Sequence, residues 1–224
     1  MSDFRRYAIY YVPDDRAFMD FGASWLGWDS ATGRAVSQPN VDDIETITKT
    51  PRKYGFHGTL KPPFRLADGT FADTLQRDLA EFSAQAAPVK VDAMSVSAIG
   101  KFVAVVPQGN TDDLAHLAFE CVKTFDTHRR PASTAELARR RAKGLSPREE
   151  ALLLEWGYPY VDDAFRFHLT LTGPLEEPER ARAIAAAQAL LPPLPKPFTI
   201  SSVCLAGEAE DGHFHLIHRY ALAG

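Results

Sequence analysis

The chain has 224 residues, 45% of them hydrophobic and 24% charged, with a formal charge of −4 and an isoelectric point near 6.0. That length and balance suit a soluble globular fold with a full core, as one large domain or two lobes of about 100 residues each. The mild acidity argues against wholesale binding to a nucleic-acid backbone, and no stretch approaches the roughly 20 apolar residues of a membrane span.

The N-terminal text MSDFRRYAIYYVPDD lacks the apolar region of a secretion signal, so a cytoplasmic protein is expected. Its RRYAIYYV portion, rich in Tyr, Ile and Val, predicts a first strand. Pro13 and Asp14 end that strand and cap a helix whose apolar positions Phe18, Phe21, Trp25 and Trp28 recur at three and four. From Asp29 to Lys53 the periodicity is poor, which predicts a long surface loop or a moving flap. GFHGTL then predicts a strand stopped by Pro62 and Pro63, Leu75, Leu79 and Phe82 mark a helix reaching Ala87, and VKVDAMSVSAIG with KFVAVVP predicts a hairpin turning near Gly100.

In the second half, Leu114, Leu117, Ala118, Cys121, Val122 and Phe125 give residues 111–127 a buried helical face. A basic stretch from Arg129 to Lys143 follows. Ser146-Pro147-Arg148-Glu149 reads as a capping box with proline at the first helical position, opening a helix to Trp156. A strand around His168, a helix in PERARAIAAAQALL and two final strands complete the chain. Cys121 and Cys204, on apolar faces, are expected as buried reduced thiols, with no disulfide framework.

Aligned on their histidines, the halves share an order: His strand with a proline stop, helix, proline, strand pair. The initial strand is clear only in the first half. The two His segments also share the frame F-H-x-T-L-x-x-P, as Phe56, His57, Thr59, Leu60, Pro63 and as Phe167, His168, Thr170, Leu171, Pro174. A lone H-x-T is expected by chance roughly 0.4 times in such a chain, so one copy says little, whereas two copies in one frame point to a duplication. The expectation is an α+β fold, one bilobal domain over 1–224, with lobe one at about 1–108 and lobe two at about 109–224. Each lobe would be an antiparallel sheet packed with helices, the two related by a pseudo-twofold axis across a central cleft.

Side chains two apart on a strand share a face, so each segment presents an imidazole beside a hydroxyl. Across a cleft, one neutral histidine can accept a proton while a charged one donates, and two threonines can hydrogen-bond non-bridging oxygens. That set suits a phosphodiester and needs no metal or cofactor. Lys61 and Arg166 each lie two residues from an H-x-T pair, which predicts anion clamps on the same face. The bland alternatives are that Arg166 pairs with Asp162 or Asp163 and that Lys61 has left the strand. Tyr54, Tyr158 and Tyr160 are candidates for stacking on a sugar or touching phosphate, though buried tyrosines need no such purpose. His213, His215 and His218 hint at zinc, but the third falls on the opposite strand face, so no metal site is expected. The Arg129–Lys143 run suits either an RNA-facing patch or a solvated helix between lobes.

The paired segments resemble the signature of the two-histidine (2H, LigT-like) phosphoesterase superfamily. RRYAIYYVP, YGFHGTLKPPFRL, LLLEWGYPYV and FRFHLTLTGPL are similar to its branch of phosphonate-metabolism proteins. The resemblance implies His57 and His168 as acid and base, Thr59 and Thr170 as phosphate ligands, and hydrolysis of a small cyclic phosphodiester. The branch's association suggests a ribose cyclic phosphate, for example one bearing a further 5-phosphate. The implied partner is that small molecule, and a monomeric or weakly associating protein is expected. An RNA 2′,3′-cyclic phosphodiesterase and a non-catalytic module for a phosphorylated ligand are the alternatives.

Overall fold

A computed structural model describes residues 4–142 and 144–224, so Lys143 of the basic stretch lies outside the described residues. In chain order the elements are β1 (Arg6–Tyr11), α1 (Arg16–Leu26), β2 (Trp28–Asp29), β3 (Arg34–Ala35), α2 (Ile44–Arg52), β4 (Gly58–Phe64), α3 (Ala72–Gln85), β5 (Val89–Val91), β6 (Ala93–Ile99) and β7 (Phe102–Gln108). The second half contributes α4 (Asp112–Thr124), α5 (Thr134–Arg141), α6 (Pro147–Trp156), β8 (Leu169–Thr170), α7 (Glu179–Leu190), β9 (Phe198–Ile200), β10 (Ser202–Glu208) and β11 (Phe214–Ala221).

The fold is α+β. Seven strands form one antiparallel sheet in the order β11-β10-β1-β4-β8-β7-β6, and β2-β3 and β5-β9 make two small ribbons. The two halves of the large sheet meet at β4 and β8, which share a single registered pair, Gly58 with Leu169. The hairpins are exchanged: β6-β7, from before residue 108, lies beside β8, while β10-β11, from the end of the chain, lies beside β1. The sheet halves therefore do not coincide with residues 1–108 and 109–224. Each half borrows its outer hairpin from the other half of the sequence, so neither His strand sits in a self-contained lobe.

Alternation along β1 sets the two faces of the sheet. Tyr7, Ile9 and Tyr11 enter the main core, with Phe18 and Trp25 of α1, Leu75 and Leu79 of α3, Leu114 and Cys121 of α4, and Ala183 and Ala187 of α7. Ala8 and Tyr10 point the other way, into a smaller cluster with Met19, Cys204 and Phe214. The main helices thus cover one face and leave the other for a site. Both cysteines are buried and free, and burial pushes their thiols up, to about 12 for Cys121 and about 11 for Cys204.

Several expected boundaries shift for local reasons. The α1 cap is Asp15, whose carboxylate accepts from Phe18 N at 2.8 Å, and Gly27 at φ +77° ends the helix before Trp28, which joins β2. The 29–53 segment is not an open flap, because it contains α2, whose inward positions Ile44, Thr48 and Pro51 include only two apolar residues. It is fastened by Arg52, which donates to Leu26 O at 2.7 Å and to Gln38 Oε1 at 2.9 Å. Pro62 and Pro63 do not stop β4. They fall in a register shift where β1 Tyr7 and Ile9 pair with Phe64 and Lys61, a bulge that asks no ladder hydrogen bond of the prolines. The Ser146 box, with Pro147 at the first position of α6, is formed as its sequence predicts.

Candidate active site

Gly55 lies in the left-handed region at φ +71°, and a Cβ there would come within 2.8 Å of the Ser30 Cβ. This glycine turns the chain out of α2 and presents its carbonyl to His57, whose Nδ1–H donates to Gly55 O at 2.9 Å. The second copy does the same from a residue of different type: His168 Nδ1–H donates to Arg166 O at 2.6 Å. A carbonyl only accepts, so each Nδ1 carries a proton, and the neutral form of either ring has its lone pair on Nε2. The Thr59 hydroxyl donates to His57 Nε2 at 3.1 Å.

The Gly58–Leu169 pairing brings the two motifs together. Continuing that antiparallel register sets His57 opposite Thr170 and Thr59 opposite His168, on the face turned away from buried Leu60, Leu169 and Leu171. His57, Thr59 and Thr170 line a cavity of about 720 Å³, whose walls also include Tyr54, Tyr158 and Tyr160. His168 is half-buried beside it. Tyr54 contacts the His57 ring at 6.2 Å between centroids, and Tyr158 meets Tyr160 edge-on at 5.5 Å.

Both expected anion clamps lie elsewhere. Lys61 is buried on the core side, donating to Val122 O at 2.8 Å, with Asp126 at 3.6 Å. The cause is a bulge: β1 Tyr10 pairs with Thr59 but its neighbour Ile9 pairs with Lys61, so one extra residue in β4 turns Lys61 to the face of Ile9. Burial lowers its ammonium to about 8. Arg166 is exposed and absent from the cavity wall, with its guanidinium on the carbonyls of Asp163 and Phe165. Its anticipated carboxylate partners are taken by Arg148, 2.7 Å from Asp162 and 3.0 Å from Asp163.

The sequence reading missed other residues of the site. Tyr10 stacks on His57, with centroids 3.7 Å apart and planes 26° from parallel. Only the pairing of β1 with β4 puts it there, although its place on the minority face of β1 was visible as alternation. The cavity wall also carries Arg5, Arg6, Lys53, Arg65, Arg139 and Arg140 against two carboxylates, Glu136 and Glu208. Glu208 is occupied by a two-point bond from Arg6 at 2.6 and 2.8 Å. Arg140 lies over the Tyr158 ring at 4.7 Å. An acidic chain thus lines its cleft with a surplus of cations, a field that draws anions.

Burial pushes the His57 imidazolium down to about 4, the Gly55 carbonyl opposes that shift, and the neighbouring His168 adds to it. His57 is therefore neutral at physiological pH, and the influence of His168 marks the two rings as electrostatic neighbours. Burial raises the Tyr10 and Tyr158 hydroxyls, so both remain neutral donors. At the C-terminal strand, His213 packs on Trp28 and His218 on Tyr220. No group of three or more His, Cys, Asp or Glu side chains positioned for a metal occurs among the described residues.

Residues 59–215 match the family described as protein of unknown function DUF1045. The chain belongs to the DUF1045 family. This DUF1045 chain is 40% identical over 176 residues to a protein of Janthinobacterium sp. (strain Marseille) named ribose 1,5-bisphosphate phosphokinase PhnN, covering 76% of this chain and 39% of that protein. A Laribacter hongkongensis protein of the same name is 33% identical over 195 residues, covering 82% and 44%. The chain thus spans less than half the length of these curated relatives. Among solved structures, TT0787 of Thermus thermophilus overlaps 98% of each chain at 10% identity and a TM-score of 0.44. E. coli LigT in its apo form overlaps all of each at 11% and 0.42. Overlaps this loose leave the reading of the DUF1045 site to its own geometry. No described helix is long and apolar enough to cross a membrane.

Proposed function

We propose that this protein hydrolyses a small cyclic phosphodiester by paired histidine acid–base catalysis, without a metal or cofactor. The observation that carries the reading is the convergence of His57, Thr59, His168 and Thr170 at the one junction where β4 pairs with β8. His57, held neutral, takes the proton of an attacking water on Nε2. The water oxygen bonds to phosphorus and one ring P–O bond breaks. His168, oriented by its Nδ1–H bond to Arg166 O, gives its Nε2 proton to the departing oxygen. With substrate bound, the Thr59 hydroxyl turns from His57 Nε2 and, with that of Thr170, donates to the non-bridging oxygens, and the cations around them stabilise the gathering negative charge. The product is a phosphate monoester.

The relatives' name supports a ribose substrate. Breaking the O2–P bond of a ribose 1,2-cyclic phosphate that bears a 5-phosphate yields ribose 1,5-bisphosphate, the compound in that name. A purified sample assayed against a panel of cyclic phosphates tests the proposal, beside folded His57→Ala and His168→Ala variants. Turnover of a panel member that collapses in both variants is expected. Absence of turnover throughout, or full turnover by both variants, sinks it. A run of cations on the cavity wall also favours an RNA 2′,3′-cyclic phosphodiesterase as the second reading. RNA activity would fall steeply with salt, whereas a small sugar phosphate responds mildly.

A further inference from the structure

A second cavity, of about 420 Å³, opens beside the first and shares Arg6, Pro63, Arg65, Glu136, Arg139 and Arg140 with it. Resting on the reading of the cleft as a cyclic phosphodiesterase, we infer that Arg65, Arg139 and Arg140 form a second phosphate subsite at this shared wall. The subsite holds a terminal phosphate monoester on the same small molecule whose cyclic phosphate lies between the histidines.

Three other arginines around the two cavities are committed. Arg6 is held by Glu208, Arg129 by Asp126 and Arg130 by Asp68. Arg65, Arg139 and Arg140 have no carboxylate within ion-pair distance among the described residues, and the Nε of Arg140 is buried without a hydrogen-bond partner. Glu136 is the one carboxylate near them on this wall: it accepts from Ser133 N at 2.9 Å and Ser133 Oγ at 3.1 Å, keeps its charge, and offsets only part of the three positive charges. Three guanidinium groups gathered around a single carboxylate keep a net positive charge, and an anion between them offsets it.

The supporting element is itself built for this. Helix α5 buries no residue, so apolar packing does not set its position. It is seated by its capping box, by the bond from Arg141 to Glu150 and by Arg140 over Tyr158. Positions 136, 139 and 140 share one helical face, and that face lines both cavities. The far wall of the smaller cavity is the turn at Arg129–Ala132 with Gly157.

The test compares ribosyl 1,2-cyclic phosphate with and without a 5-phosphate. The wild-type protein is expected to favour the 5-phosphorylated probe by at least about tenfold in kcat/KM, mostly through KM. In an Arg139→Ala/Arg140→Ala variant that ratio should fall to about threefold or less, and Arg65→Ala should lower it in part. An unchanged ratio, or a wild-type ratio near one, overturns the subsite. So does faster turnover of an oligoribonucleotide ending in a 2′,3′-cyclic phosphate. If the wild type opens neither ring, the hydrolytic reading fails by itself, and calorimetric binding of ribose 5-phosphate still decides the subsite. Affinity at least about tenfold weaker in the double variant supports it, and equal affinity refutes it.

Discussion

The two copies of the His–Thr frame sit in unlike surroundings. On the first, β1 runs beside β4 and places Tyr10 against Thr59; on the second, β7 runs beside β8 and places Ala104 against Thr170. A phenol therefore stacks over His57, while the equivalent neighbour of the second motif is a methyl group. His57 also takes the Thr59 hydroxyl at 3.1 Å, whereas the hydrogen bond of His168 is to the Arg166 carbonyl. The missing strand noticed in the second half of the sequence is thus the source of the asymmetry. A duplicated motif supplies two similar groups, and an unduplicated neighbour covers one of them with an aromatic ring.

Removing either histidine is the largest test of that division: His57→Ala and His168→Ala should each cost about 100- to 10,000-fold in kcat while circular dichroism stays native. Loss in only one variant would reduce the pair to a single catalytic group. The next test is Tyr10→Leu. The acid limb of kcat/KM in the wild type should lie near pH 4, where His57 protonates. Opening the stack should move the limb upward by a unit or more, toward the ordinary value of about 6.5, and cost about 2–4 kcal/mol of stability. Tyr10→Phe keeps the ring and should leave the limb in place, and a limb unmoved in Tyr10→Leu would separate the stacking from the basicity.

The third effect concerns folding. Because the His57 value is depressed in the folded state, the unfolded chain binds the proton first as the pH drops. Stability should therefore fall between pH 6.5 and about 4, by up to about 3 kcal/mol relative to His57→Gln measured by denaturant titration. Parallel pH curves for the two proteins would count against the burial of His57. The smallest effect belongs to Lys61→Met, which keeps the side-chain volume under α4. Its kcat/KM should stay within about threefold of wild type, since the ammonium faces Val122 and not the cleft. A large catalytic loss would return Lys61 to the site.

How far the chain can be read without its fold is shown by these same residues. The frame around His57 and His168, the α+β character, the Ser146 box and most helices were legible because they depend on repeat, period and capping, which are local properties. Arg166 and Lys61 were assigned to the cleft by strand alternation, a rule that fails at a bulge and past a strand end. Strand β8 is only Leu169–Thr170, so Arg166 precedes it, and the register shift at Ile9 turns Lys61 over. Helix α2 escaped because its inward side relies on Thr48 and Pro51 as much as on Ile44.

The sequence by itself determined which four side chains repeat and what chemistry they can share, because residue types two apart on a strand carry that information wherever the strand goes. Only the tertiary structure decided that the hairpins cross between halves, that Tyr10 covers His57, and that α5 brings Arg139 and Arg140 to the cleft. Those are contacts between segments far apart in the chain, set by strand order and register, and no local pattern of residues encodes them.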